Sequence, residues 1–565
     1  MIVLGICDSQ DAGAALFHDG RLIAAVNEER LNRKKLWGGF PELSIAEVLR
    51  LAHVRPDQVE AVILGTRITP NLLVRMFRGI HQDLRKKNGQ FGYLLNLFIT
   101  YQTVARRLRL PEALEAAAAR RVIARDLARV GVRAPVHSID HHLAHAAAAW
   151  GTCPFERALV VTVDGLGDGL GVTVSVGERG HGLTRVHEET GFSSLTLYYS
   201  RLTQALGFTP IKDEGKVNGL AAYTTETPAL HLAEQLLRVE DGRFELDNHL
   251  LPASLDRPPW SELKNYTREQ VAASFQTHLE HAMRDFVRTW LARTGTRHVA
   301  VAGGLFANVK LNQRLATMPE VDEVYVFPHM GDGGLAVGGA LAWLGADPQP
   351  LSDVFLGPAY DDARLEQALQ QEGLAYTRPA DLADEVARIL ASGRIVGRLD
   401  GRMEYGPRAL GNRTILAPAN DPALLDALNA MLKRSPFMPF APILHDDLYA
   451  ETIVDGHKGW HASEFMTISF DVTPRLRDTC RGGVHVDDTA RPQRVVPAVN
   501  PGLAAILAAY TRRTGLPALI NTSFNLHEEP IVCSPEDAVS SYVRAGLGAL
   551  VLGPYLVERP TGVLG

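Results

Sequence analysis

The sharpest chemical signal in the chain is Asp140-His141-His142-Leu143-Ala144-His145, which runs straight into Ala146–Ala149. Alanine favours helix, and in a helix His141 and His145 lie four apart on one face. Two imidazoles at that spacing reach a single cation, although no glutamate base stands between them as in zinc-protease helices. A divalent ion needs more ligands, and the carboxylates of Asp164 and Asp332, at strand tips, are the candidates. Imidazole and carboxylate donors suit iron, manganese or zinc, and spacing does not rank these. The plainer alternative is a helix start that carries three of the chain's 20 histidines.

A second signal is the run Gly401-Arg402-Met403-Glu404-Tyr405-Gly406-Pro407-Arg408-Ala409-Leu410-Gly411-Asn412-Arg413. Arginines interleaved with glycines give forked donors and close backbone access, which polyphosphate recognition requires. Lys433, Arg434, Arg491 and Arg494 add cations further on. There is no GxxxxGK[ST] loop, so any ATP is held in another way. A third, weaker signal is Asn521-Thr522-Ser523-Phe524-Asn525, small polar donors at the end of a short strand, which a helix cap would also produce. Ser523 lacks a GxSxG elbow and a His–Asp pairing pattern, which disfavours a hydrolase nucleophile. Glu214-Gly215-Lys216-Val217-Asn218-Gly219-Leu220 is a fourth patch, in which Lys216 either meets an anion or closes a loop.

The elements that must position these groups are α/β in pattern. Ile2–Cys7, Gly13–Phe17 and Leu22–Val26 read as strands, with a type I′ turn at Asp19-Gly20. The pattern returns at Ala158–Val163, Gly165-Leu166-Gly167-Asp168-Gly169 and Val172–Val176, placing Asp164 over Asp8, 156 residues earlier. That distance is too long for a solenoid repeat and points to two related lobes with a cleft between their tips. Residues 71–133 hold 13 Lys/Arg against 4 Asp/Glu and include a helical stretch, Pro111–Val130. They read as an inserted helical layer with solvated faces, or as a docking face for an acidic partner or substrate. From Arg297 to Ala342 the expectation is strand, helix Asn308–Thr317, strand, the turn Met330-Gly331-Asp332-Gly333-Gly334 and helix Leu335–Leu344. Beyond it lie helices Leu382–Ala391, Pro422–Lys433, Leu503–Thr514 and Pro535–Ala545, with strands Arg394–Arg398, Met466–Val472, Ala518–Ile520 and Ala549–Leu552. The expected division is a domain over 1–345, a linker over 346–355 and a domain over 356–565.

Composition narrows the function classes. The 565 residues carry 58 Lys/Arg against 64 Asp/Glu, a net charge of −6, which gives no reason to expect nucleic-acid binding. Hydrophobic residues at 46% and charged residues at 22% suit a globular protein. Cys7, Cys153, Cys480 and Cys533 form no CxxC pair. That excludes a disulfide framework and a ribbon-type zinc site, and it suits a reducing cytoplasm. No apolar run is long enough to span a bilayer, and the opening MIVLGICDSQ lacks a basic n-region, so neither a membrane span nor a signal peptide is expected.

Taken in order, these motifs resemble the O-carbamoyltransferase family of antibiotic and nodulation-factor biosynthesis over essentially the whole chain. The resemblance rests on Leu4-Gly5-Ile6 with Asn27-Glu28-Glu29-Arg30, DHHLAH, EGKVNGLA, Gly303-Gly304 with Asn308, and GDGG. It continues through Leu356-Gly357-Pro358, GRMEYGPRALGNRT, His485-Val486-Asp487 with Thr489-Ala490-Arg491-Pro492-Gln493, and NTSFN followed by Glu529-Pro530-Ile531-Val532. It implies an N-terminal Kae1-like domain of the actin/hexokinase (ASKHA) class and a C-terminal YrdC-like α/β domain. The second would convert carbamoyl phosphate and ATP, with Mg2+, to carbamoyl-adenylate. The first would pass the carbamoyl group to a hydroxyl of a small natural-product acceptor.

By motif position, the resemblance implies an iron(II)-type site at His141, His145, Asp164 and Asp332. It implies nucleotide or carbamoyl phosphate contacts at Lys216, Gly303, Gly304, Asn308, Arg402, Arg408, Arg413, Arg434, Arg491, Asn521, Ser523 and Asn525. Arg408, Arg491 and Ser523 would carry the activation step, while Gln10 and Asp11 occupy the first hairpin's catalytic turn. There the family commonly has a histidine that helps deprotonate the acceptor, and Gln10 cannot be a base at neutral pH. The proton then falls to Asp11 or to a metal-bound group, or the chain is an inactive variant. A second departure puts Ser435 and Met438 where the family has glutamate and arginine. The rival readings are a tRNA threonylcarbamoyl-transfer enzyme, disfavoured by the net charge, and a non-catalytic nucleotide sensor. A hydrogenase-maturation carbamoyltransferase would need CxxC zinc motifs. A homodimer is the base-rate expectation.

Overall fold

The computed structural model describes residues 1–77, 91–247, 254–345, 347–432, 437–526 and 528–559. The chain divides into two compact units: Met1–Glu29 with Leu36–Leu351, and Arg30–Lys35 with Ser352–Gly565.

Two five-stranded sheets of one topology form the first unit. Strands β1 (Ile2–Cys7), β2 (Gly13–His18) and β3 (Arg21–Asn27) make an antiparallel meander. Strands β4 (Ala61–Leu64) and β5 (Val136–Ser138) join it in parallel, giving the order β3-β2-β1-β4-β5. The second sheet takes β6 (Arg157–Gly167), β7 (Leu170–Glu178) and β8 (Gly182–Thr190), a separate hairpin forms from β9 (Leu237–Glu240) and β10 (Arg243–Leu246), and β11 (His298–Ala302) and β12 (Glu323–Val326) complete the sheet. Its order, β8-β7-β6-β11-β12, repeats the first strand for strand. The duplicated hairpins of the sequence are thus the leading edges of duplicated lobes. The β2–β3 turn places Asp19 (48°) and Gly20 (76°) at positive φ, and the β6–β7 turn does the same with Asp168 (50°) and Gly169 (86°), as type I′ turns require. The strand cores are aliphatic and fully buried, including Val3, Leu4 and Ile6 in β1 and Val160, Val161 and Val163 in β6.

A crossing of two helices fixes the geometry between the lobes. The helix Leu335–Leu344 reads LAVGGALAWL, and its small residues let it lie against the helix His141–Thr152. A Cβ built on Gly338 would stand 1.9 Å from the Ala144 carbonyl oxygen, so the two backbones touch there. The same helix meets β1, where a Cβ on Gly5 would lie 1.9 Å from the Ala336 oxygen. Asp332 lies just before one of these helices and His141 begins the other, so their approach decides whether the ligands meet. Gly338→Ala is expected to force the helices apart, cost about 3 kcal/mol of stability and weaken metal retention. Chemical denaturation and metal analysis of the purified variant check both.

Within residues 71–133 the structure shows helices Leu72–Met76, Phe91–Leu108 and Leu110–Arg129, with 78–90 outside the described residues. The 27-residue helix Arg268–Thr294 was not marked by the sequence patterns, although a Thr267–Gln270 capping box opens it and Gly295, at φ 65°, closes it.

The second unit contains β13 (Val396–Leu399), β14 (Arg413–Pro418), β15 (Ala441–His445), β16 (Phe470–Asp471), β17 (Thr489–Ala490), β18 (Gln493–Val495), β19 (Ala518–Ser523), β20 (Ala549–Leu552) and β21 (Tyr555–Glu558). Seven of these form one mixed sheet, β18-β15-β19-β14-β13-β20-β21. Helices Leu382–Ala391 and Pro501–Thr514 cover it through Val386, Leu390, Leu507 and Tyr510, packed on Val396, Leu416, Ile443 and Leu519. The expected strand Met466–Val472 shortens to β16, which pairs with β17, while Val472 bridges Ile453. Met466 sits at φ 54° and the Thr467 amide turns back to the Ala462 carbonyl, which breaks the extended run. The expected helix Pro422–Lys433 ends at Met431.

Candidate functional site

His141 and His145 lie on the first turns of the helix His141–Thr152, whose N-cap is Asp140. Asp164 sits in β6 and Asp332 opens the turn before Leu335–Leu344. One ligand atom from each of the four lies within 4.8 Å of the others. His141 Nε2 is 3.1 Å from Asp164 Oδ2 and 3.6 Å from Asp332 Oδ1; His145 Nε2 is 3.8 and 3.7 Å from the same atoms. Both rings are buried, and His145 Nε2 has no hydrogen-bond partner. A buried nitrogen left bare costs on the order of 1–3 kcal/mol. Two imidazoles and two carboxylates converging around such an atom are a donor set that fits a divalent cation. Burial works against the charged form of His141, but the Asp332 and Asp164 carboxylates more than offset it and lift the imidazole to about 9.

The surroundings hold these ligands by specific contacts. Ser9 Oγ donates to Asp332 Oδ2 at 2.8 Å, and the Gly304 amide donates to Asp164 Oδ1 at 2.8 Å. Gly303 sits at φ 108°, where a side chain would be strained, and a Cβ there would strike the Val163 carbonyl. The Gly303-Gly304 pair thus serves Asp164 directly. Asp168, fully buried, accepts the amides of Arg67, Ile68, Thr69 and His141 at 2.8–3.0 Å, pinning the start of the ligand helix to the β4 loop. Asp8, the counterpart of Asp164 in the first lobe, takes a different role. Arg75 clamps it with Nε at 2.8 Å and Nη2 at 3.1 Å, which leaves its charge neutralised. Gln10 and Asp11 occupy the turn after β1, both half-buried, with Asp11 at φ 53°.

Asp140 joins the cap to a charge cluster. Burial opposes its ionisation, but Arg185 and Arg106, each at 2.6 Å, hold the carboxyl far below the usual range. A carboxyl depressed in the folded state stabilises the fold above its ordinary pKa, and that contribution disappears as the pH falls. Asp140→Asn keeps a capping oxygen but takes a buried carboxylate from Arg106 and Arg185, which then share the half-exposed Glu188. It is expected to cost about 2–3 kcal/mol at neutral pH and to flatten the acid limb of the stability–pH profile, as denaturant titrations across pH would show.

In the second unit, the Gly401–Arg413 run forms a loop built around Glu404, which accepts the amides of Leu410 (2.7 Å), Asn412 (2.7 Å) and Arg413 (3.1 Å). Arg413 is fully buried and gives its donors to carbonyls of Pro358, Asp400, Gly401, Asn412 and Cys533. Arg402 likewise donates to the Leu356 and Gly357 carbonyls. These two arginines tie the loop to the 356–358 segment and, through Arg413, to Cys533. Asn521 Nδ2 donates to the Ala409 carbonyl and to Gln493, tying the loop to β19. Arg408 differs: its Nε is buried with no partner, and burial pushes the guanidinium down to about 10. Ser523 ends β19 half-buried, Arg491 is half-buried, and Asn525 closes its own turn through the Leu526 and Glu529 carbonyls. Arg494 pairs with Asp446 and Glu464 beneath Trp460. Arg434 lies outside the described residues. In the first unit Lys216 pairs with Asp213 at 2.8 Å, and Asn308 caps the helix Val309–Ala316 while accepting from Asn218.

The Carbamoyltransferase N-terminus family matches residues 2–341 and the Carbamoyltransferase C-terminus family residues 387–559; the chain belongs to the carbamoyltransferases, enzymes that transfer a carbamoyl group. It is 31% identical to Nodulation protein NolNO of Sinorhizobium fredii over 98% of this chain and 79% of that one. It is 28% identical to an uncharacterized protein of Methanocaldococcus jannaschii over 99% of this chain and all of the relative. Among solved structures, full-length HypF in its phosphate- and nucleotide-bound form aligns with a TM-score of 0.34 at 14% identity, covering 60% of this chain and 55% of that one. Among the described residues, no helix is long and apolar enough to cross a membrane.

Proposed function

We propose that the chain is an ATP-dependent O-carbamoyltransferase that takes its carbamoyl group from carbamoyl phosphate. In the unit containing Ser352–Gly565, water first cleaves carbamoyl phosphate to carbamate and inorganic phosphate; a carbamate oxygen then bonds to the α-phosphorus of ATP, carried with Mg2+, as the α–β phosphoanhydride bond breaks and pyrophosphate leaves. Arg408, with its unpartnered donor, offers a cation to the charge spread over the phosphates, while Arg491 and Ser523 flank the same function. The Glu404 scaffold fixes the loop's backbone, so little reorganisation is needed when the anion arrives.

The second half-reaction belongs to the four-ligand cluster of the first unit. The acceptor oxygen attacks the carbamoyl carbon, the bond to the adenylate oxygen breaks, and AMP leaves. A divalent cation held by His141, His145, Asp164 and Asp332, iron(II) by family resemblance, would supply a Lewis acid for the adenylate phosphate and the charge of the leaving group. Ser9 and Gly304 orient the two carboxylates, and Asp168 fixes the helix that carries the imidazoles. Gln10 can orient but not remove the acceptor proton, which leaves Asp11 as the side-chain base of that turn.

The observation that carries the reading is the convergence of two histidines and two aspartates around a bare buried nitrogen, in a chain that matches both carbamoyltransferase domains. The test is pyrophosphate release from ATP, which should depend on carbamoyl phosphate and need no acceptor. ATP binding without turnover, even with iron(II), would make the protein a sensor instead.

A further inference from the structure

Apart from the ligand cluster and the Arg408 loop, the first unit holds a cavity of about 980 Å3, in the range of small-molecule sites. Arg67, Arg106, Arg107, Arg109 and Arg120 line it, against the carboxylates of Glu112 and Glu188. Arg67 pairs with Glu112 at 2.9 Å, and Arg106 is taken by Asp140 and Glu188. Arg120 meets only a neutral partner, Ser138 Oγ at 3.0 Å. Arg107 and Arg109 are exposed and have no carboxylate partner among the described residues. Among the described residues, three guanidinium charges around this cavity therefore have no carboxylate partner. Thr103 Oγ1, in the same wall, is buried without a hydrogen-bond partner. That hydroxyl is closed off from the cavity, so the oxyanion donors here are the forked cations of Arg107, Arg109 and Arg120.

The cavity also shares its walls with the elements that set the ligand cluster. Gly169 and Leu170 line it directly after Asp168, which holds the His141 amide. Arg106 is anchored on Asp140, the cap of the same helix.

We propose that this cavity holds the carbamoyl acceptor, and that the acceptor is an anion. Its phosphate or comparable multiply charged oxyanion group sits among Arg107, Arg109 and Arg120. The assignment rests on the carbamoyl-transfer reading above and narrows it, because a polycationic acceptor would be repelled from such a site.

The experiment is calorimetric titration of the full chain with glucose 1,6-bisphosphate, with glucose and kanamycin as neutral and cationic probes. Saturable binding of the bisphosphate alone is expected, weakening as salt is raised. Binding should drop at least about tenfold in an Arg107→Gln/Arg109→Gln double variant whose melting temperature is unchanged. Absence of saturable bisphosphate binding, equal affinity in the double variant, or kanamycin binding in preference would overturn the proposal. Pyrophosphate release from ATP is measured on the same preparation. If that reaction is missing while the arginine-dependent binding persists, the carbamoyl-transfer reading has failed and the anion site has not.

Discussion

His145→Ala is expected to abolish carbamoyl transfer to any acceptor while the protein still releases pyrophosphate from ATP and carbamoyl phosphate. His145 is the better ligand to remove because its Nε2 has no hydrogen bond to lose, whereas His141 Nε2 lies 3.1 Å from Asp164. Truncation therefore deletes an unsatisfied polar atom and leaves the rest of the cluster braced by Ser9, Gly304 and Asp168. Three donors remain, too few to close a tetrahedral site without solvent. Transfer should fall by at least ~10²-fold, and bound metal, measured on the protein as purified, should fall with it. Near-wild-type transfer by His145→Ala in chelator-treated buffer would show that the four side chains do not hold a working cation.

The grouping of His141 with His145 was legible because the two imidazoles sit four apart in an alanine-rich helix, a pattern that local propensity alone interprets. The pairing of Asp164 with Asp332 was legible only through the repeated hairpins and the family motifs, because no local rule joins residues so far apart. The repeat did more than suggest two lobes: it led to the same strand order in both sheets. It also misled in one respect. Asp8 aligns with Asp164, yet Arg75 neutralises it, and Arg75 stood in the sequence only as one of many basic residues in the helical region.

Asp168 and Ser9 were not singled out, because their work lies in accepting or giving hydrogen bonds to groups brought close by the fold. In the second unit, the glycine-flanked arginines were read as one set of phosphate donors. The structure separates them, since a buried guanidinium must spend its five donors somewhere, and backbone carbonyls of Asp400, Gly401, Asn412, Pro358 and Cys533 take those of Arg413. Sequence spacing carries no record of which arginine is consumed in this way.

That separation makes Arg408 the residue of the second unit on which the proposed activation step is best tested. Arg413→Ala would empty a buried site and leave several carbonyls bare, so any loss of activity there would be entangled with unfolding. Arg408→Ala removes a cation whose Nε has no partner to abandon, and the Glu404 brace around it is untouched. Stability should change little, because no hydrogen bond of Nε is lost. Carbamoyl-phosphate-dependent pyrophosphate release should fall ~10²- to 10³-fold, the range for deleting one preorganised donor to developing phosphate charge. Arg408→Lys keeps the charge but loses the fork, so it should recover only part of the rate. Supplied with preformed carbamoyl-adenylate, Arg408→Ala should transfer as the parent enzyme does, because the ligand cluster is intact. Equal pyrophosphate release by Arg408→Ala and the parent would remove this arginine from the chemistry and, with it, the argument that an unpartnered buried donor marks where the phosphates lie.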